Sequence, residues 1–92
     1  MDVRVEYAAQ VKRAAGIAAE TVAVADDCSL QELAGQVAAA HGEALQKLLL
    51  DEGGGLQPSI LIFVGDEQVR GDAARVLNGR DTVTFLSPIS GG

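Results

Sequence analysis

One stretch of this sequence keeps apolar residues at helical spacing over several turns: Leu30, Leu33, Val37 and Ala40, with Ala34 and Ala38 beside them. Ahead of it, Ser29-Leu30-Gln31-Glu32 has the spacing of a capping box, in which a serine oxygen and a glutamate carboxylate satisfy orphan backbone N–H groups. Behind it, His41-Gly42 gives a dipole-compatible residue and then a stop. A lone stripe of this kind needs a sheet to cover. The segments on both sides are patterned to supply one.

Val3 to Tyr7 alternates, with Val3, Val5 and Tyr7 on one face and Asp2, Arg4 and Glu6 on the other. Ala8 to Gly16 carries Lys12 and Arg13 and ends in glycine, which suits a reversal into a second strand over Thr21 to Ala25, so the two strands should form a hairpin. After the helix, Glu43 to Leu50 has the composition of a second short helical stretch, and Asp51-Glu52-Gly53-Gly54-Gly55 reads as a flexible loop. Ile60 to Val64 is apolar on both faces. A turn at Gly65-Asp66-Glu67 leads to a short strand ending near Arg70, and Gly71 to Gly79 is an irregular connection. The last strand spans Thr82 to Leu86, with Val83 and Phe85 alternating against Thr82 and Thr84.

The order strand, strand, helix, strand, strand, strand predicts an α+β domain. Its economical form is the β-grasp, or ubiquitin-like, roll: a mixed sheet of four or five strands crossed by one main helix, the last strand brought parallel to the first. Of the 92 residues 15 are Ala and three are aromatic (Tyr7, Phe63, Phe85), so Val, Leu and Ile must fill the core. Residues 1–86 are expected to form the domain and 87–92 a flexible C-terminal tail ending in Gly-Gly.

The charge narrows the function. Thirteen acidic residues against seven scattered basic ones, a net charge of -6, argue against a nucleic-acid binder. The longest fully apolar run, Ile60 to Val64, is far short of a membrane span. A single cysteine, and a start that opens directly into a strand pattern, predict a cytoplasmic protein.

The informative residues are the last two. With 11 Gly in the chain, a terminal Gly-Gly arises by chance roughly once in seventy draws from this composition, so alone it is weak. Its setting adds weight, because Pro88 stiffens the base of a short tail whose tip bears no side chains. Such a tip fits a narrow channel in another protein. A carboxylate there becomes electrophilic once its oxygen is made a leaving group, for example by adenylation.

The segments Pro58 to Arg70 and Asp81 to Gly92, with the final Ser87-Pro88-Ile89-Ser90-Gly91-Gly92 as the most specific element, resemble the MoaD/ThiS family of ubiquitin-like sulfur carriers. Val3 to Gly16 is similar to that family's first strand and loop. The likeness covers essentially the whole chain, and it is closer to the molybdopterin-synthase small subunit, MoaD, than to ThiS. It implies that Gly92 is adenylated by a MoeB/ThiF-like activating enzyme, which uses the ATP, and is converted by a sulfurtransferase step to a thiocarboxylate. It also implies that Gly91 and Ser90 are read as part of the tail, and that a MoaE-like large synthase subunit holds the acceptor. Other members serve thiamin or cysteine biosynthesis, and some are conjugated to protein lysines. A binding module that only borrows the fold is the third class. The chain alone is not expected to be an enzyme or to bind a cofactor. Two positions depart from the family's pattern: Gly65-Asp66 replaces the usual Asn-Gly turn, and Arg80 stands where an acidic residue is common.

Phe63, Leu86, Pro88 and Ile89 are candidate docking residues, since alternation puts Leu86 opposite the inward Val83 and Phe85, and Phe63 shares a face with Leu61. The alternative is that they are core or scattered surface apolars. Cys28, just before a helix N-terminus, is a lesser candidate for a persulfide and more simply a small structural residue. His41 lacks the companions of a metal ligand, so no metal site is expected. Gly53-Gly54-Gly55 lacks the Lys-Ser/Thr ending of a phosphate loop, and the pairs Asp26-Asp27 and Asp51-Glu52 read as solvated turn charge, with a basic groove on a partner as their other use.

Overall fold

The computed structural model describes residues 1–69 and 74–87. Strands β1 (Asp2–Ala9), β2 (Ala19–Ala23), β3 (Leu61–Val64), β4 (Glu67–Val69) and β5 (Thr82–Ser87) form one five-stranded sheet in the order β2-β1-β5-β3-β4. β1 and β5 pair in parallel and every other neighbour is antiparallel. The expected α+β roll is what forms, with the first and last strands side by side at the centre.

The helices are α1 (Gln10–Ala15), α2 (Leu30–His41) and α3 (Glu43–Leu49). α2 begins where its sequence says: the Glu32 N–H donates to Ser29 Oγ and the Ser29 N–H donates to Glu32 Oε1, both at 3.1 Å, so the capping box is complete. Its stripe buries Leu30, Leu33, Ala34, Val37 and Ala38. Ala40 is exposed, contrary to the expectation, and His41 takes the next place on the covered face because 3.6 residues per turn carry the stripe from Val37 and Ala38 to position 41.

Two further local expectations are corrected. The segment expected to be a plain reversal contains α1, which sinks Val11 fully into the core and ends on Gly16 at φ 81, whose N–H donates to the Lys12 carbonyl at 2.9 Å. The second strand lies two residues earlier than Thr21 to Ala25. Its register is set by β1, with Val3 opposite Val22 and Val5 opposite Glu20, and the Tyr7 N–H bonding to the Ala18 carbonyl holds its start. The glycine loop is tied down as well: Asp51 Oδ1 accepts from the N–H groups of Gly53 and Gly55, each at 2.9 Å.

Alternation sorts the sheet into two faces. Val3, Val5 and Tyr7 of β1, Ile62 and Val64 of β3, Val69 of β4, and Val83 and Phe85 of β5 are buried in one cluster with Leu30, Leu33, Ala34 and Val37 of α2 and Leu45 and Leu49 of α3. On the other face Arg4 is exposed and Glu6, Ala8, Leu61, Phe63, Thr84 and Leu86 are half-buried. That open face, and the end of β5, are where function must be sought.

Candidate functional site

β5 fixes the geometry of the site. It runs through Ser87, the first residue of the expected tail segment, with Ser87 beside Ala9 of β1 and buried. Ser87 Oγ donates to Gln10 Oε1 at 3.4 Å, which ties the strand's last residue to the first of α1. The sheet therefore anchors the chain firmly up to residue 87. Pro88, Ile89, Ser90, Gly91 and Gly92 lie outside the described residues.

The candidate docking residues that are described fall where alternation put them. Leu86 is opposite Leu61 of β3 and beside Ala8 of β1, and Phe63 is opposite Thr84 of β5 and Gln68 of β4. Ala8, Leu61, Phe63 and Leu86 are all half-buried on the open face, toward the end of β5 that leads into the tail sequence. Arg4 and Glu6 occupy the same face, Glu6 in the row of Thr84 and Phe63 and Arg4 one row further back, and they pair at 3.0 Å. Leu86 thus lies in a cross-strand row with Ala8 and Leu61, and Phe63 follows Leu61 on the same face of β3, one row back between Thr84 and Gln68. Leu61 was legible from alternation along β3, and Ala8 was not, because β1 runs two residues past the expected strand.

Cys28 sits in surroundings that disfavour a thiolate. It is 4 % exposed, and burial, aided by the negative charge of Glu32, pushes its thiol above the ordinary cysteine range. Its Sγ donates to the Ser29 carbonyl at 3.4 Å, so it packs as a small structural side chain. Among the described residues no three His, Cys, Asp or Glu side chains gather as metal ligands, and no helix is long and apolar enough to cross a membrane.

A polar knot that the sequence did not announce joins three elements. Glu20 Oε2 of β2 accepts from Tyr7 Oη of β1 and meets His41 Nε2 at the end of α2, each at 2.5 Å, while the Tyr7 and His41 rings stand edge to face at 5.7 Å. Burial, then the hydrogen bond and charge of Glu20, drive the Tyr7 hydroxyl far above its ordinary value. For Glu20, burial acts to raise the carboxyl, but the hydrogen bonds from Tyr7 and His41 and the charge of His41 together outweigh it, and it titrates below its ordinary value. The knot is structural: it pins the edge strand β2 to the helix. Its only sequence signal was His41 at the helical spacing of the covered stripe.

A small mixed sheet with the first and last strands parallel at its centre and one long helix across one face is the architecture of the β-grasp, ubiquitin-like fold. The comparisons agree. The ThiS family matches residues 5–92, and the chain belongs to that family of small ubiquitin-like sulfur carriers, whose members are carriers and not enzymes on their own. The structure is similar to SAMP1 from Haloferax volcanii, with a TM-score of 0.89, 21% identity and 100% of both chains covered. It is also similar to Urm1 from Trypanosoma brucei (TM-score 0.79, 26% identity, 99% of this chain and 95% of that one). A third likeness is to a putative molybdopterin converting factor, subunit 1, from Pyrococcus furiosus (0.77, 20% identity, 97% and 99%). A search of curated proteins finds no match.

Proposed function

We propose that Gly92 is the reacting end of this carrier: a partner activating enzyme adenylates its carboxylate, a sulfurtransferase step replaces the adenylate by sulfur, and the resulting thiocarboxylate donates that sulfur, in molybdopterin synthesis. The observation that carries the reading is the extent of the family match, which runs through Gly92 and so takes in the whole tail. The fold supports it, because a central strand anchored to Ser87 leaves five residues, at most about 17 Å of extended chain, to enter a partner's site. Ser90 and Gly91 present little or no side chain to the walls of such a channel.

The roles divide accordingly. This chain supplies the acyl group and a docking face of Phe63, Leu86, Pro88 and Ile89. The activating enzyme, of the MoeB/ThiF kind, supplies ATP and the residues that bind it, and a MoaE-like subunit supplies the acceptor. The likeness to the molybdopterin converting factor subunit supports that acceptor, and the likeness to Mycobacterium tuberculosis CysO keeps the other carrier pathways as alternatives. The likeness to SAMP1, whose name in a second solved structure is small archaeal modifier protein 1, favours a second reading in which Gly92 ends in an isopeptide bond to lysine. Both readings share the adenylate.

The test is intact mass spectrometry after incubation with ATP, a sulfur donor and the activating enzyme of the same organism, beside a chain lacking Gly92. Replacement of one oxygen by sulfur, seen only when Gly92 is present, is the expected result. Lysine conjugates without a thiocarboxylate would favour the modifier. Neither product would leave a binding module.

A further inference from the structure

We infer that the outer edge of α1, formed by Lys12, Arg13 and Ile17, docks against a carboxylate-bearing surface of the enzyme that activates Gly92 and sets the register in which the tail enters. The inference rests on the carrier reading above and adds a second contact surface to it, distinct from the apolar row on the open sheet face.

Charge is the first argument. The chain has 13 acidic residues, yet none lies between Glu6 and Glu20, and the two side chains in that gap that do carry charge are Lys12 and Arg13. Both are exposed, and among the described residues neither has a carboxylate within 4 Å, whereas Arg4, Lys47 and Arg75 are each paired with a glutamate at 3.0 Å, and Arg80, also without such a pair, stands alone next to Asp81 in the chain. On a molecule of net charge -6, two adjacent cations with no carboxylate within 4 Å among the described residues form a positive island. A complementary acidic patch opposite such an island orients a complex and rejects wrong registers, even where it adds modest affinity.

Shape and place make the rest of the case. Ala9, Lys12, Arg13 and Gly16 line an open concavity of about 510 Å³. Next in the chain, Ile17 is one of two large apolar side chains that are exposed among the described residues, at 38 %. An exposed aliphatic beside two cations is the composition of an interface edge, where apolar burial and ion pairing act together. The backbone under it is held in an unusual conformation: Ala9 has φ 57 and ψ -130, costly for a residue with a Cβ and maintained because β1 and α1 fix both of its sides. The edge is therefore rigidly placed. It also stands at the root of the tail, since Ala9 pairs with Ser87 and Gln10 accepts its hydroxyl. An enzyme that reaches Gly92 works within about 17 Å of Ser87, and so within reach of Lys12 and Arg13.

The experiment is ATP–pyrophosphate exchange by the activating enzyme with the full chain as substrate, comparing wild type, Lys12→Gln/Arg13→Gln, the charge-keeping Lys12→Arg/Arg13→Lys, Ile17→Ser, and Arg75→Gln as a cation removed elsewhere. Circular dichroism confirms that each is folded. Loss of both charges should raise KM for the carrier by about tenfold with kcat unchanged, and should flatten the rise of KM with ionic strength. Lys12→Arg/Arg13→Lys and Arg75→Gln should match wild type, and Ile17→Ser should raise KM while leaving the salt dependence intact. Exchange by wild type with an unchanged KM for the uncharged variant overturns this inference alone, as does an effect confined to the later sulfur-transfer step. No exchange by wild type overturns the carrier reading, and this inference with it.

Discussion

At the scale of single residues, the knot of Tyr7, Glu20 and His41 makes a prediction about acid stability. Glu20 titrates below its ordinary value in the folded chain because two donors hold its charged form. A carboxylate so depressed contributes stability that is fully present above its unfolded value, near 4.5, and is lost as pH falls through the folded value. Urea midpoints measured downward from pH 5 should therefore fall, and Glu20→Gln should flatten that fall while leaving the rest of the profile alone. A slope unchanged by the substitution would assign the acid sensitivity to other carboxylates. At neutral pH, Tyr7→Phe should cost about 1–2 kcal/mol, the value of a hydrogen bond to a charged acceptor that keeps its second donor.

At the scale of elements, what was legible in the sequence is what is local. Ser29→Ala should cost about 1 kcal/mol in unfolding free energy, since it removes the serine half of the capping box. An effect below a few tenths would mean that packing against the sheet, and not the cap, fixes the start of α2. That cap was readable because Ser29 and Glu32 decide it between them. α1 was not, because its six residues, QVKRAA, have no cap signal and are helical through the burial of Val11 and the left-handed stop at Gly16. β2 lies two residues from its expected place for a similar reason: its sequence, AETVA, alternates only weakly, and its register is written in the partner strand's Val3 and Val5. Of the site, the faces of Phe63 and Leu86 followed from alternation alone. The basic edge did not, since whether Lys12 and Arg13 have acidic neighbours is settled by the fold and not by spacing.

At the scale of the whole molecule, β5 separates stability from recognition between adjacent residues. Phe85 is fully buried at the centre of the single core, where it stacks at 6.4 Å on Tyr7, and Leu86 projects the other way onto the open face beside Leu61 and Ala8. Phe85→Ala should cost about 3–5 kcal/mol, a large part of what a domain of this size has to lose. Its melting temperature should drop steeply, and its activity should fall with the folded fraction. Leu86→Asp places a charge where a side chain is only half-covered, so the cost should stay within about 1–2 kcal/mol and the chain should remain folded. If the open face docks the activating enzyme, that folded variant should nevertheless show a KM raised by about tenfold in ATP–pyrophosphate exchange, because an unpaired carboxylate would be desolvated on binding. An unfolded product would return Leu86 to the core and remove the docking face. A folded variant with an unchanged KM would leave the tail and the α1 edge to carry recognition between them.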